Sequence, residues 1–167
     1  MRALLVYYSR SGATERLMKA IGASLESRGH KVEYCSLEPV KAMSYAAAGW
    51  AAFRKREARL KEGAPRSLRA HELVLIAGPV FAGRAPAELN TFLNSMPDAV
   101  GRRVGVFATM GGPNAEGQLR QIKAKVEKAG GMIIYEDAVK RPMVMNPDQC
   151  MRKADDIVEQ LLRPSVW

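Results

Sequence analysis

Three short stretches of this sequence carry residues whose types and spacing could do chemistry. The first is Ser9-Arg10-Ser11-Gly12-Ala13-Thr14, three hydroxyls, an arginine and a glycine just ahead of a helical pattern. A phosphate suits such a place, because N–H groups point outward from a helix start, the dipole end favours an anion, and glycine permits close approach. The same residues also serve as a plain helix cap through Ser11 or Thr14. The second stretch is Gly78-Pro79-Val80-Phe81-Ala82-Gly83-Arg84-Ala85-Pro86, apolar and rigid with one aromatic. It reads either as a wall for a flat hydrophobic ring or as an ordinary turn with Phe81 packed locally. The third is Thr109-Met110-Gly111-Gly112-Pro113-Asn114. Its adjacent glycines bring backbone close to a ligand, or simply make a flexible left-handed turn.

Other chemistries lack their residues. There is no GxGxxG, and the nearest approach to a Walker loop, Gly112 to Gly117, is followed by Gln118 where a lysine is needed. A phosphate-receiver site needs carboxylates after strands one and three, where this chain has Ser9-Arg10-Ser11 and Gly78-Pro79. Cys35 and Cys150 form no CxxC and offer no disulfide framework or zinc site. No residue is assigned as a catalytic acid, base, nucleophile or metal ligand. His30 and His71 read as surface residues, and the two cysteines as small buried apolar groups. Met143, Met145 and Met151 read as packing for the last helix.

The elements that must position these loops alternate. Strands are expected at 3–8, 31–37, 72–77, 103–108 and 131–138. Most are near-continuous apolar runs, as strands buried on both faces require. The second is mixed and suits an edge. Helices are expected at 14–28, after Pro86, and at 115–129 and 148–162, from apolar stripes such as Leu17, Met18, Ile21 and Leu25. Gly29 should stop the first. Five strands with intervening helices imply a doubly wound parallel α/β sheet, and the polar second strand favours the order 2-1-3-4-5. Ligands of such sheets bind beyond the carboxyl ends of the strands, where all three loops fall.

Length and charge set the frame. The 167 residues suit one domain over 1–167. No run approaches the length of a membrane span, and the N-terminus has no signal-peptide layout, so the expected location is the cytoplasm and no membrane partner is expected. Lys and Arg number 26 against 17 acids, a net charge of +9. Residues 41–70 hold eight of the cations and only Glu57 and Glu62, so six of the nine excess charges fall there. A basic helical insert is therefore expected at about 40–70, its charges on a solvated helix face and its Trp50 and Phe53 packed against the body.

Taken together, Tyr7-Tyr8-Ser9-Arg10-Ser11-Gly12-Ala13-Thr14, Gly78-Pro79-Val80-Phe81-Ala82-Gly83 with Phe92-Leu93, and Phe107-Ala108-Thr109-Met110-Gly111-Gly112 resemble the flavodoxin family. Their order and spacing match over nearly the whole chain outside the insert. The resemblance implies the flavodoxin-like 2-1-3-4-5 fold and FMN as cofactor. It places the FMN phosphate on Ser9, Ser11, Gly12, Ala13 and Thr14, with Arg10 adding charge. It places the isoalloxazine ring between Pro79, Val80, Phe81, Ala82 and Gly83 on one side and Thr109, Met110, Gly111 and Gly112 on the other. The chain departs from the family in three respects. Ala13 stands where Asn is frequent, the third loop lacks the Tyr that many members stack on the flavin, and the chain is basic where carriers are usually acidic. Less negative charge near the ring should raise the flavin potential.

Three functions follow for comparison. The first is FMN-based electron transfer to a redox partner protein, an acidic one if the basic insert docks it. The second is an FMN-dependent oxidoreductase of the NAD(P)H:quinone type, with Arg84 and its neighbours receiving a nicotinamide phosphate. The third is a nucleic-acid-binding module built on residues 54–69, which ranks last because Trp50 and Phe53 sit in an Ala-rich stretch. The insert is also a candidate contact surface for a homo-oligomer.

Overall fold

A computed structural model describes residues 1–164 of the chain. Five strands form one parallel sheet in the order β2-β1-β3-β4-β5: β1 (Arg2–Tyr7), β2 (Lys31–Ser36), β3 (Leu73–Pro79), β4 (Arg103–Met110) and β5 (Met132–Lys140). The mixed second strand lies at an edge, as its composition predicts.

Side chains alternate across the sheet because successive Cβ atoms point to opposite faces. Ala3, Leu5 and Tyr7 join one hydrophobic cluster with α1 (Ala13–Ser27) and α6 (Pro147–Leu162). Leu4, Val6 and Tyr8 join the other with α3 (Ala87–Asn94) and α4 (Glu116–Lys128). The sheet is therefore covered on both faces, which near-continuous apolar strands require. Gly29 does end α1: its N–H donates to the Glu26 carbonyl, and the His30 N–H to that of Leu25.

The segment between β2 and β3 departs from expectation. Its helix, α2, spans only Tyr45–Phe53, capped by the Ser44 hydroxyl. The cations from Arg54 onward follow it in irregular chain, so they do not share a helix face. Trp50 and Phe53 are not packed against the body. They are 56% and 54% exposed and stack on each other at 5.9 Å, because the small residues Ala48, Ala51 and Ala52 take the inward face.

The insert is closed at its base. Pro39 pairs with Leu60, the Val40 N–H donates to the Arg59 carbonyl, and the Lys61 N–H to that of Glu38. It is also tied to α3, where the Asn90 side-chain amide donates to the Arg56 carbonyl and the Thr91 hydroxyl to that of Ala58.

Three further expectations need correction. His71 is buried, its Nε2 2.8 Å from the Glu33 carboxylate, because β2 brings Glu33 across β1 to meet it. A short helix, α5 (Arg141–Met145), precedes α6. Its Val144 packs inward, while Met143, Met145 and Met151 are 37–44% exposed. Among the described residues no helix is long and apolar enough to cross a membrane, and no cluster could hold a metal.

Candidate functional site

Parallel pairing in register carries the ends of β1, β3 and β4 to one edge of the sheet. The loops that follow these strands meet there. A shallow cleft of about 140 Å³ lies between them.

The first loop turns into α1 through Gly12, at φ +87°, a left-handed conformation that costs other residues about 1–2 kcal/mol. The Ser9 hydroxyl accepts from the Glu15 N–H at 3.1 Å, and the Arg16 N–H returns to the Gly12 carbonyl. Ser9 is thus the residue that caps the helix. Ser11 and Thr14, the alternative caps in the sequence, do not. The N–H groups of residues 11–14 find no acceptor among the described residues. Uncapped N–H groups at the positive end of a fifteen-residue helix form an anion cradle. The Thr14 hydroxyl lies behind this cradle, buried and 2.6 Å from the Thr109 hydroxyl of β4.

The second loop makes a two-residue turn. The Phe81 N–H donates to the Arg84 carbonyl and the Arg84 N–H to that of Phe81. Ala82 and Gly83 at its tip have φ +48° and +71°, the geometry of a tight hairpin turn. Gly117 of α4 supports it from below: a Cβ there would come within 2.3 Å of the Gly83 carbonyl oxygen. The third loop is held to the second by the Val80 N–H, which donates to the Thr109 carbonyl at 3.0 Å.

Of the residues singled out in the sequence, Arg10, Ser11, Ala13, Pro79, Val80, Phe81, Thr109, Met110 and Gly111 line the cleft together. Ser9, Gly12, Thr14 and Gly112 belong to the same loops but not to its wall. Ala82 and Gly83 face a different cavity, on the other arm of their turn.

Sequence reasoning missed four residues here. Tyr45, the first residue of α2, lines the cleft, with the Arg10 guanidinium 3.9 Å from its ring centroid. Arg141 enters from the end of β5, a strand end the three-loop reading left aside. Tyr8 and Glu88 lie beside Arg10 and are both buried. Burial pushes the Glu88 carboxyl above its ordinary value, against the pull of Arg10 and of a hydrogen bond from Tyr8. Burial likewise raises the Tyr8 phenol, with Glu88 adding to it. One signal was available for Arg141, since every strand of a parallel sheet ends on the same edge. None was available for Glu88, a first-turn carboxylate of the sort that normally faces water.

The site therefore joins an anion cradle at a helix start to a shallow cleft bounded by Phe81, Tyr45 and backbone. That combination fits a flat ring bearing a phosphate.

Solved structures share this architecture. A flavodoxin from the domain Archaea matches with a TM-score of 0.61 at 19% identity, over 98% of this chain and 100% of that one. Flavodoxin 2 from Bacillus cereus matches with a TM-score of 0.70 at 16% identity, over 96% and 97%. The flavodoxin of Streptococcus pneumonia TIGR4 matches with a TM-score of 0.63 at 12% identity, over 96% and 97%. At these identities the likeness speaks for the fold. No curated protein matches the chain by sequence. A sequence profile for the family described as NADPH-dependent FMN reductase matches residues 1–139, well over half the chain. The chain therefore belongs to that family, a flavodoxin-like family of FMN-binding proteins.

Proposed function

We propose that this protein is an FMN-based electron-transfer flavoprotein, and that its phosphate loop and cleft are the flavin site. The observation that carries the reading is the run of uncapped N–H groups at residues 11–14, directly beside a cleft walled by Phe81. In this reading those N–H groups and the Ser9 and Ser11 hydroxyls hold the phosphate. Pro79 to Phe81 and Thr109 to Gly111 flank the ring, and Tyr45 supplies the aromatic that the third loop lacks. The bound flavin supplies the electron chemistry; the protein binds it, orients it and sets the surrounding charge. Arg10 and Arg141 make that charge positive at the cleft.

The second reading is an NAD(P)H-dependent FMN oxidoreductase of the quinone-reducing type. The description of the matching family favours it. In either case we read residues 1–167 as one domain with the insert at about 40–70 as its elaboration. We place it in the cytoplasm, where its two free cysteines, Cys35 and Cys150, would stay reduced. An acidic redox protein suits the exposed Trp50 and Phe53 ringed by Arg54 and Arg84.

Purification tests the site. The protein should be yellow and release FMN on denaturation; a colourless protein that takes up no added FMN would sink the proposal. Mixing with NADPH and a quinone separates the readings. Steady turnover marks the oxidoreductase, whereas reduction only through a reductase partner marks the carrier.

A further inference from the structure

Among the described residues Glu88 alone of the carboxylates is fully buried, 2% exposed in the first turn of α3. Its neighbours come from several elements. From the end of β1 comes Tyr8, also buried, whose phenol meets both the Glu88 carboxyl and the Arg10 guanidinium. From the first loop comes Arg10, and from α3 the backbone N–H of Glu88 itself. The insert packs on the next residues of α3 with backbone carbonyls, Arg56 on Asn90 and Ala58 on Thr91. From α4 the neutral Gln121 amide meets Asn90. Leu89, Phe92 and Ala85 are part of the same apolar cluster as Tyr8. Arg10 is thus the one charged group among the described residues that acts on this carboxyl.

Arg10 also has a second side. It lines the flavin cleft, with its guanidinium 3.9 Å from the centroid of the Tyr45 ring, and it makes no ion pair among the described residues. Burial disfavours the ionised form of Glu88, whereas Arg10, Tyr8 and the backbone N–H favour it, and burial is the largest of these effects. A carboxyl held between opposing influences responds when one of them is withdrawn. An anion in the cleft draws on the same guanidinium. One cation does not fully compensate two anions, and of the two Glu88 is the one that can take a proton in a dry place.

We propose that Glu88 is a proton site coupled, through Tyr8 and Arg10, to negative charge in the cleft. An anion entering the cleft draws Arg10 from the carboxyl, and Glu88 takes up a proton from water, so that one negative charge is matched by one positive. Glu88 lies outside the cleft wall and acts as a positioning residue for the Arg10 charge. The coupling is reciprocal. Once rising pH ionises Glu88, the carboxylate holds Arg10 and the cleft binds anions less well. The inference rests on the reading of the cleft as the flavin site.

The test compares the protein with Glu88→Gln, which keeps the shape and carries no titrating proton. FMN affinity is measured by fluorescence in both from pH 4.5 upward. The FMN phosphate titrates alike in each, so the ratio of the two affinities reports Glu88. The two proteins should agree at the acid end, and the variant should then bind more tightly as pH rises, by about fivefold, the low end of coupling between linked sites. In a Tyr8→Phe background the same substitution should have a smaller effect. Infrared titration needs no variant to fold: the band of the protonated carboxyl should persist to higher pH with FMN bound than without it. A band midpoint that FMN does not move, or an affinity ratio that is the same at every pH, as a purely structural role would give, overturns the proposal and leaves the flavin site standing. A protein that binds no FMN at any pH refutes the flavin site, and the coupling with it.

Discussion

The hydroxyls of Thr14 and Thr109 lie 2.6 Å apart, both residues buried, and join the first turn of α1 to the end of β4. One donates to the other, so one proton is left to point elsewhere. Thr14→Val keeps the shape and removes one partner. It should cost about 1 kcal/mol of stability and weaken FMN binding by about 5- to 10-fold. Titration of FMN fluorescence reads the second effect. Unchanged affinity would show that the Thr14–Thr109 pair does not set the position of the loop.

Gly117 has no room for a side chain, because its Cβ would meet the Gly83 carbonyl oxygen at 2.3 Å. Gly117→Ala must push α4 and the Phe81 turn apart. The strain should lower stability by roughly 1–3 kcal/mol in denaturant unfolding. Because the displaced turn carries Phe81, flavin retention should fall in the same variant. Gly12→Ala makes a contrast. Nothing lies within 4 Å of a Cβ there, so its cost is that of the φ alone, about 1–2 kcal/mol.

Tyr45 and Arg10 form a stacked pair at the cleft, and Arg141 lies on the same wall. Positive charge near the ring favours the reduced, more negative flavin. Arg10→Ala and Arg141→Ala should therefore each lower the midpoint potential in a redox titration, and Tyr45→Ala should alter the flavin absorption band. A rise in potential on removing either arginine would contradict the placement of the ring.

Glu88 gives the protein a pH dependence of definite sign. Its folded pKa is raised by burial above the ordinary 4.5. The folded state then holds its proton at pH values where the unfolded chain has lost it, so this group's contribution is complete below 4.5 and is lost as pH rises through the folded value. Glu88→Gln removes that loss. Measured by denaturant unfolding, the stability of the variant relative to the parent should climb from about pH 4.5 upward and then level off. A gap that shrinks with rising pH would mean that Arg10 and Tyr8 outweigh burial.

The strands were legible because burial on both faces writes an apolar run, and the edge position of β2 because Lys31, Glu33 and Ser36 interrupt one. The three loops were legible because glycines and hydroxyls cluster where helices and turns begin. The path of the insert was not. Its return depends on Pro39 meeting Leu60, a single pairing without any periodic signal. The approach of Tyr45 to Arg10 and of Lys55 to Arg120 depends on that return. The charge of residues 54–69 suggested a helix face because charge is a matter of composition, whereas a helix needs a stripe for its inner side, and that chain has none. His71 was read as exposed because its partner Glu33 reaches it across β1 in space but lies 38 residues away in sequence.

The closed base of the insert has a practical meaning. Glu38 and Lys61 are joined by a backbone hydrogen bond of 2.9 Å, so the chain leaves and re-enters at nearly one point. The segment between them is a branch on the domain, which could be shortened at that rung while β2 and β3 keep their places. What would be uncovered is α3: Asn90 and Thr91 would exchange the Arg56 and Ala58 carbonyls for water. Everything the branch contributes, Tyr45 at one cavity and Lys55 at the other, would leave together, so a single deletion separates what the sheet does from what was added to it.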